Sequence, residues 1–371
     1  MSTSVLISGA GIGGSTLAYW LGRNGFDVTV VERAAGQRSS GNPIDVRGPA
    51  LDVVERMGVM PALRKAATGA NRLSFLDGAG GRRAWVAIGN PDRAAVEGEV
   101  ELARADLASV LLDAARPHAD IRWGDTITGL TSRASGVDVS FGDGDPATYD
   151  YVIGADGLHS NVRNLAFGPE REFVRHMGMY VATLRVDRAY GGENEVVMHN
   201  TPGRSLSVHP AGGKPLAAFI FRRSLASGVD HRDLGQHKNL VLEAFEGRAG
   251  IFGALLDQVR AAEDMYFDSV SRVRLRRWST GRTALLGDAA SSVSLFGEGS
   301  SLAIAGAHTL AEELTRSPGD PGGALGRYER RHRTLTGPKQ RAVRLAAAMI
   351  VPGSRLGIRL RDTAVRFMPG M

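Results

Sequence analysis

The sequence predicts a mixed α/β fold: a discontinuous parallel-sheet domain, an inserted and mainly antiparallel β-sheet domain, and helices at the C-terminus. Three observations carry that prediction. Val5–Arg33 reads as strand, glycine loop, helix and second strand, a βαβ unit. Two further apolar strands, Tyr151–Ala155 and Thr283–Gly287, stand far down the chain beside glycine–aspartate turns. Between them, residues 173–222 are rich in strand patterns and contain no further regular βαβ units. The two distant strands would have to return to the first sheet, so the strands between them form an insertion.

The elements follow in order. The first helix occupies residues 15–24, and Pro49–Met57 reads as a second, with Leu51, Val54 and Met57 on one face. Residues 71–89 read as a hairpin turning at Gly78–Gly81. Arg104–Ala115 is a helix with Leu107, Val110, Leu111 and Ala114 as its apolar positions. Residues 120–123, 127–132, 136–141 and 148–153 alternate like the strands of a small meander. Residues 238–262 return to helix. Further helices occupy about 300–316, 323–349 and 354–367, with Ser317–Gly323 as an interhelix loop. Residues 1–70, 100–170 and 278–316 then form the first domain, 71–99 and 171–277 the inserted one, and 317–371 the terminal helices.

Composition bounds the function. The 371 residues, 43% apolar and 23% charged, suffice for a sizeable core. There is no cysteine, which excludes disulfides, thiolate ligands and a cysteine nucleophile and fits a reducing cytoplasm. No apolar run reaches the ~18 residues of a spanning helix, and the first strand leaves no room for a signal peptide. A cytoplasmic location without integral membrane association is expected. Net charge is +6, concentrated in Arg272–Arg277, Arg327–Arg344 and Arg355–Arg366. These segments lack the interleaved aromatics of a nucleic-acid face, so no nucleic-acid partner is expected. His159, His176, His199 and His209 lack ligand spacing, so no metal is expected. Ser160 and Ser291 lack the G-x-S-x-G elbow of a hydrolase, and Ser160 reads as a helix cap. Met177, Met179, Tyr180, Met198, Phe219 and Phe221 read as sheet core rather than pocket lining. Arg355–Phe367 reads as a packed, basic terminal helix rather than one lying on a membrane.

The loop Gly9-Ala10-Gly11-Ile12-Gly13-Gly14 gives the first chemical signal. Gly9 permits the turn out of the strand, Gly11 lets backbone approach a pyrophosphate, and Gly14 allows close helix–strand packing. The helix N-terminus offers free N–H groups and positive dipole. Glu32, ending the second strand 21 residues beyond Gly11, can accept hydrogen bonds from ribose hydroxyls. In a chain with 48 glycines the pattern alone is weak. A near-match, Gly142-Asp-Gly144-Asp-Pro-Ala147, lies in an acidic turn with no helix after it. Context therefore decides for a Rossmann-like dinucleotide site at Gly9–Gly14, and Glu32 favours a free 2′-hydroxyl, as in FAD or NAD. Two more motifs stand at strand ends: Gly-Ala-Asp156-Gly157-Leu-His-Ser160-Asn-Val-Arg163, and Gly287-Asp288-Ala-Ala followed by Gly297-Glu-Gly299-Ser300-Ser301. An aspartate there is placed for ribityl or ribose hydroxyls, and a helix N-terminus for charge on a cofactor ring.

With these motifs the chain resembles the FAD-dependent aromatic hydroxylases, the class A flavin monooxygenases of p-hydroxybenzoate hydroxylase fold, and within them the branch of tetracycline-inactivating monooxygenases. The resemblance spans roughly residues 4–350, and Arg104-Ala-Asp106-Leu matches the family's Arg-x-x-Leu element. It implies bound FAD, with NADPH or NADH as transient reductant. It also implies O2 as co-substrate and an aromatic, phenolic or polyketide-like small molecule hydroxylated through a flavin C4a-hydroperoxide. A monomer or homodimer is expected. Carried over by position, the loop Gly9, Gly11, Ile12, Gly13 and Gly14 holds the FAD pyrophosphate and Glu32 the adenosine ribose. Arg33 lies beside adenine, and Arg104 meets the centre of the cofactor. Arg47 lies near flavin and substrate, and Asp156 and Gly157 serve the FAD/NAD(P)H region. Asp288 binds the ribityl–pyrophosphate portion, and backbone at Gly299, Ser300 and Ser301 faces the flavin pyrimidine edge. No catalytic side chain is assigned beyond Arg47, since the flavin carries the chemistry. One departure stands out. The family's Gly-Asp-Ala-Ala-His and following prolines become Gly287-Asp-Ala-Ala-Ser291 with no proline, and the loop to Gly297 is a residue shorter. This reads as tolerated loop variation. It also motivates an alternative reaction on the same fold, a flavin-dependent reductase or a redox-neutral, FAD-requiring cyclase. A non-enzymatic nucleotide-binding protein is the remaining rival.

Overall fold

Apolar strands buried on both faces build the first sheet. In the computed structural model, described for residues 2–37, 43–88, 98–210, 214–225, 228–230, 233–247, 253–292, 298–317 and 319–366, β1 (Ser4–Ser8) pairs in parallel with β2 (Asp27–Glu32). Helix α1 (Ile12–Arg23) crosses between them. Val5, Leu6 and Ile7 are fully buried, as expected of a parallel strand covered on both sides. β7 (Asp120–Trp123) adds beyond β2, β11 (Tyr151–Gly154) pairs with β1, and β18 (Thr283–Leu285) pairs with β11. The two distant strands therefore do return to the first sheet. Its order is β17-β18-β11-β1-β2-β7, with β17 (Ser279–Thr280) antiparallel at the edge.

The meander is smaller than expected. It contains β8 (Ile127–Ser132), β9 (Val137–Phe141) and β10 (Ala147–Tyr149), whereas residues 120–123 and 151–154 belong to the parallel sheet. Alternation cannot assign 120–123, because an edge strand with one covered face has the same period as a meander strand.

The second sheet has the order β16-β12-β15-β14-β13-β4-β5. Its strands are β4 (Arg72–Leu76), β5 (Arg82–Ala87), β12 (Val174–Arg185), β13 (Glu195–Thr201), β14 (Arg204–His209), β15 (Leu216–Arg222) and β16 (Tyr266–Val273). All pairings are antiparallel except β13 with β4. On one face Tyr180, Phe219 and Phe221 pack against α6 (Leu234–Phe245) and α7 (Gly253–Ala261). On the other, Met179, Val181 and Val270 meet Val343 and Ala347 of the long helix α10 (Pro321–Ile350). The expected single helix over 238–262 is two, separated after Phe245. Tyr180, Phe219 and Phe221 are sheet core, as read from their pattern.

Several elements escaped the sequence reading, three longer strands among them. β3 (Pro43–Val46) pairs with β6 (Val100–Ala103), and β16 closes the edge of the second sheet. The remaining helices are α2 (Pro49–Arg56), α3 (Met60–Lys65), α4 (Arg104–Ala115), α5 (Asn161–Ala166), α8 (Asp288–Ser291), α9 (Glu298–Arg316) and α11 (Arg355–Arg366). Helix α9 packs on α1 in the same core as β1, β11 and β18, through Ile304, Ala307 and Leu310.

Candidate active site

The predicted motifs meet at the C-terminal ends of β1, β11 and β18, where parallel sheets bind ligands. Gly9 turns out of β1 with φ +104°, and a Cβ there would stand 2.6 Å from Ala155 O. A Cβ on Gly14 would lie 1.9 Å from Gly9 O, so helix and strand touch backbone to backbone. Gly11 differs: a Cβ would meet nothing within 4 Å. Gly11 is also the N-cap of α1, with no side chain capping that end and no acid in the first turn. The amides there lack partners within the helix and carry its positive pole. Open space beside a residue without a side chain, facing unsatisfied donors, fits a pyrophosphate.

Glu32 is fixed against this loop. Ala10 N–H donates to its Oε2 and Ala34 N–H to its Oε1, both at 3.0 Å. Each carboxylate oxygen keeps a lone pair for a hydroxyl. Arg33 follows at an exposed position.

Arg104 and Asp288 lie close enough for the charge of one to act on the other. Arg104 opens α4, and Asp288 opens α8 directly after β18. Burial pushes the Asp288 carboxyl above the usual range, and the Arg104 guanidinium pulls it back. A Cβ on Gly13 or on Gly287 would lie 3.5 Å from Ala303 Cβ, so α1, the Gly287-Asp288 turn and α9 converge within a side chain's width.

At the far end, α9 and β3 are stapled together. Ser301 Oγ–H donates to Asp45 O at 2.7 Å and accepts from Arg47 N–H at 3.1 Å. Glu298 Oε1 accepts from the Arg47 guanidinium at 2.8 Å and from Lys339 Nζ of α10 at 2.6 Å. Gly299, Ser300 and Ser301 form the first turn of α9, and both serines are buried. Asp45 lies in this cluster with its carboxyl pushed up to about 6, by burial first and by Glu101 second. The end of the altered loop is held by Gln340, whose Nε2 donates to Ser291 Oγ at 3.2 Å and to Val273 O at 2.9 Å. The rest of that loop, 293–297, lies outside the described residues.

Asp156 is engaged with its own chain. It accepts from Asn161 N–H at 2.8 Å, Val162 N–H at 3.0 Å and the Ser160 hydroxyl, so it starts α5 beside Gly157. Ser160 is the N-cap of α5, as expected, accepting from Arg163 N–H at 3.0 Å. Arg163 received no role in the sequence reading. It is fully buried and donates to Ala289 O at 3.1 Å and Leu158 O at 2.6 Å, tying the Asp156-Gly157 motif to the Gly287-Asp288 motif. Its signal was a charge inside a short apolar helix. His159 lies between Glu170 (3.1 Å) and Asp268 of β16 (3.3 Å). Burial opposes its charge, but Asp268 and Glu170 push its pKa up to about 9. Glu298 and Lys339, 41 residues apart, left no local sign of their pairing. Among the described residues no group of acidic or histidine side chains could hold a metal.

Residues 2–331 match the family model described as an FAD binding domain. Monooxygenase CTB7 of Cercospora beticola is 33% identical, over 85% of this chain and 80% of its own. A flavin-dependent monooxygenase from an unknown prokaryotic organism is 32% identical, over 87% and 84%. The crystal structure of tetracycline destructase Tet(51) superposes with a TM-score of 0.85 at 26% identity, over 99% of this chain and 96% of that one. With a family model matched over residues 2–331 and relatives more than 30% identical over most of their length, the chain belongs to the FAD-binding family of flavin-dependent monooxygenases.

Proposed function

We propose that this enzyme consumes NADPH or NADH and O2 to hydroxylate an electron-rich aromatic, phenolic or polyketide-like small molecule. The observation that carries the reading is the convergence of the open Gly11 corner, the Gly287-Asp288 turn and α9, where a Cβ on Gly13 or Gly287 would lie 3.5 Å from Ala303 Cβ. When bound, FAD supplies the redox chemistry, hydride acceptance and delivery of one oxygen atom of O2. The chain's residues bind and orient. Amides of the Gly9–Gly14 loop take the pyrophosphate, and Glu32 takes the adenosine ribose with Arg33 at its rim. Arg104 and Asp288 hold the centre. Amides at Gly299, Ser300 and Ser301 present the positive pole of α9 to the ring edge. Asp156 and Gly157 act by fixing the loop that Arg163 fastens beneath Ala289. Arg47, anchored by Glu298, faces the substrate side.

Residues 1–70, 100–170 and 278–316 are read as the cofactor domain, 71–99 and 171–277 as the substrate domain, and 317–371 as terminal helices. Support for the first two comes from their two main apolar cores, while Ala324, Leu325 and Tyr328 of the third pack into the first core and Val343 and Ala347 onto the second sheet.

The test is direct. Purified protein should be yellow, or become so with FAD. In a panel of phenols and polyketides, at least one should drive NAD(P)H-linked O2 uptake with 18O from O2 in the product. Turnover without oxygen incorporation would favour the reductase or cyclase. Protein that stays colourless after FAD incubation would sink the reading altogether.

A further inference from the structure

We propose that the outer face of α11 docks the protein on an anionic lipid surface. The helix is first a packed one. Its inner side places Ile358 and Asp362 in buried positions and Val365 against Phe75, Ala84 and Val86. Arg361 lies over the Phe75 ring at 4.2 Å and bonds Asn200 Oδ1 and Asp362 Oδ1, each at 2.7 Å. These contacts fix which side faces outward.

That outward side is not the polar face of an ordinary surface helix. Leu356 is 65% exposed and Leu360 63%. Arg355 and Arg359 are exposed beside them. At about 100° per residue, the two leucines form one stripe and the two arginines a parallel stripe roughly a quarter-turn away. The preceding helix ends in the same style, with Leu345 69% and Met349 43% exposed. Between Lys339 and Arg366 the sequence holds seven basic residues and one acid. The acid is Asp362, which is buried and paired with Arg361.

Charge selects the occupant. A second copy meeting this face about a two-fold axis would set arginines against arginines, since Asp362, the one acid between Lys339 and Arg366, is already paired with Arg361. The exposed leucines also offer far less than the ~800 Å² per partner of a stable interface. An anionic bilayer answers both stripes. Leucines enter the headgroup–acyl boundary while arginine stems reach outward to phosphates. No described helix is long and apolar enough to span a membrane, so the attachment is peripheral.

The test is vesicle sedimentation of the FAD-loaded protein. It should pellet with mixed phosphatidylglycerol–phosphatidylcholine vesicles and stay in solution with phosphatidylcholine alone. Raising salt from about 0.1 M to about 1 M, which shortens screening from about 10 Å to about 3 Å, should release it. Leu356→Ser with Leu360→Ser should weaken binding ~tenfold or more. Arg355→Gln and Arg359→Gln should each weaken it about fivefold. Flavin absorbance and melting temperature should be unchanged in all of them, because these side chains lie on the outer face. Failure to pellet with anionic vesicles, equal pelleting with neutral ones, or undiminished binding by the leucine variant would overturn the proposal. So would a concentration-dependent dimer that the leucine variant abolishes.

Discussion

Gly11→Ala and Gly14→Ala add the same methyl group three residues apart, and the structure predicts opposite failures. At Gly14 the new Cβ would sit 1.9 Å from Gly9 O, against an ordinary contact of at least 3.4 Å. The carbonyl or the helix must withdraw by the difference, 3.4 − 1.9 = 1.5 Å. Neither can rotate away as a side chain can, so the cost is about 3 kcal/mol. That corresponds to a melting temperature lower by roughly 4 °C, in apo and FAD-loaded protein alike. At Gly11 the Cβ meets only open space, and φ −77° with ψ −172° suits any residue. Apo stability should change by no more than about 0.5 kcal/mol. The methyl would instead stand where a phosphate must approach the amides. Losing one charge-assisted hydrogen bond, about 1.5–3 kcal/mol, loosens FAD by roughly tenfold to a hundredfold. Thermal melts of both forms and titration by flavin fluorescence quenching measure the two quantities. If Gly11→Ala lowers the apo melting temperature as far as Gly14→Ala, or binds FAD like wild type, the glycine corner is packing and not a cradle.

Three further outcomes follow from the buried charges. His159 has a folded pKa of about 9 against 6.5 unfolded, so its contribution is full below about pH 6.5 and lost as pH rises through about 9. Wild type should outmelt His159→Gln near pH 6, by at most about 3 kcal/mol, with the gap closing by about pH 10. Asp45 has the opposite sign: a folded pKa of about 6 against 3.8 makes its charge a burden that grows as pH rises between those values. Asp45→Asn, which keeps the backbone carbonyl that Ser301 uses, should therefore stabilise the protein by about 1–2 kcal/mol at neutral pH and not at pH 4, read by the same melts. Arg163→Met leaves the acceptors Ala289 O and Leu158 O unanswered in the interior. It should cost about 2–4 kcal/mol and loosen FAD as well, because Ala289 adjoins Asp288; wild-type FAD affinity in a destabilised variant would separate the two roles.

Legibility followed sequence distance. Gly9, Gly11 and Gly14 each remove a side chain for a local reason, so the loop and its strand–helix–strand frame were readable from 29 consecutive residues, Val5 to Arg33. Arg104–Ala115 was readable end to end, since its apolar spacing and its boundaries are both local. β3 and β6 were not, because four-residue strands such as PIDV carry almost no period and find each other across the chain. The 238–262 segment read as helical because apolar spacing persists in both of the helices it holds, Leu234–Phe245 and Gly253–Ala261. The Glu298 pairs with Arg47 and Lys339 were invisible for the reason that hid β3 and β6: three elements supply three residues, and only the fold puts them together.

That division has a consequence for how such an enzyme can change. The end of the site at Gly9–Gly14 and Glu32 is built from backbone: two amides hold Glu32, and two glycines sit where a Cβ would collide. Substitution at Gly9 or Gly14 breaks the frame, so this corner has little freedom. The other end is built from side chains on β3, α9 and α10, joined through one carboxylate oxygen of Glu298. Lys339 and Gln340 project from a helix that is packed by other residues such as Val343 and Ala347, and Lys339 meets Glu298 rather than a strand. Ser291, where a histidine is expected, fits that pattern, since its hydroxyl is held by Gln340 rather than by the Gly287-Asp288 turn. On the proposed function, substitutions along α10 should change substrate choice before FAD affinity, whereas substitutions at Gly9 or Gly14 should unfold the protein first, a split that FAD titration and melting of Lys339 and Gly14 variants would read.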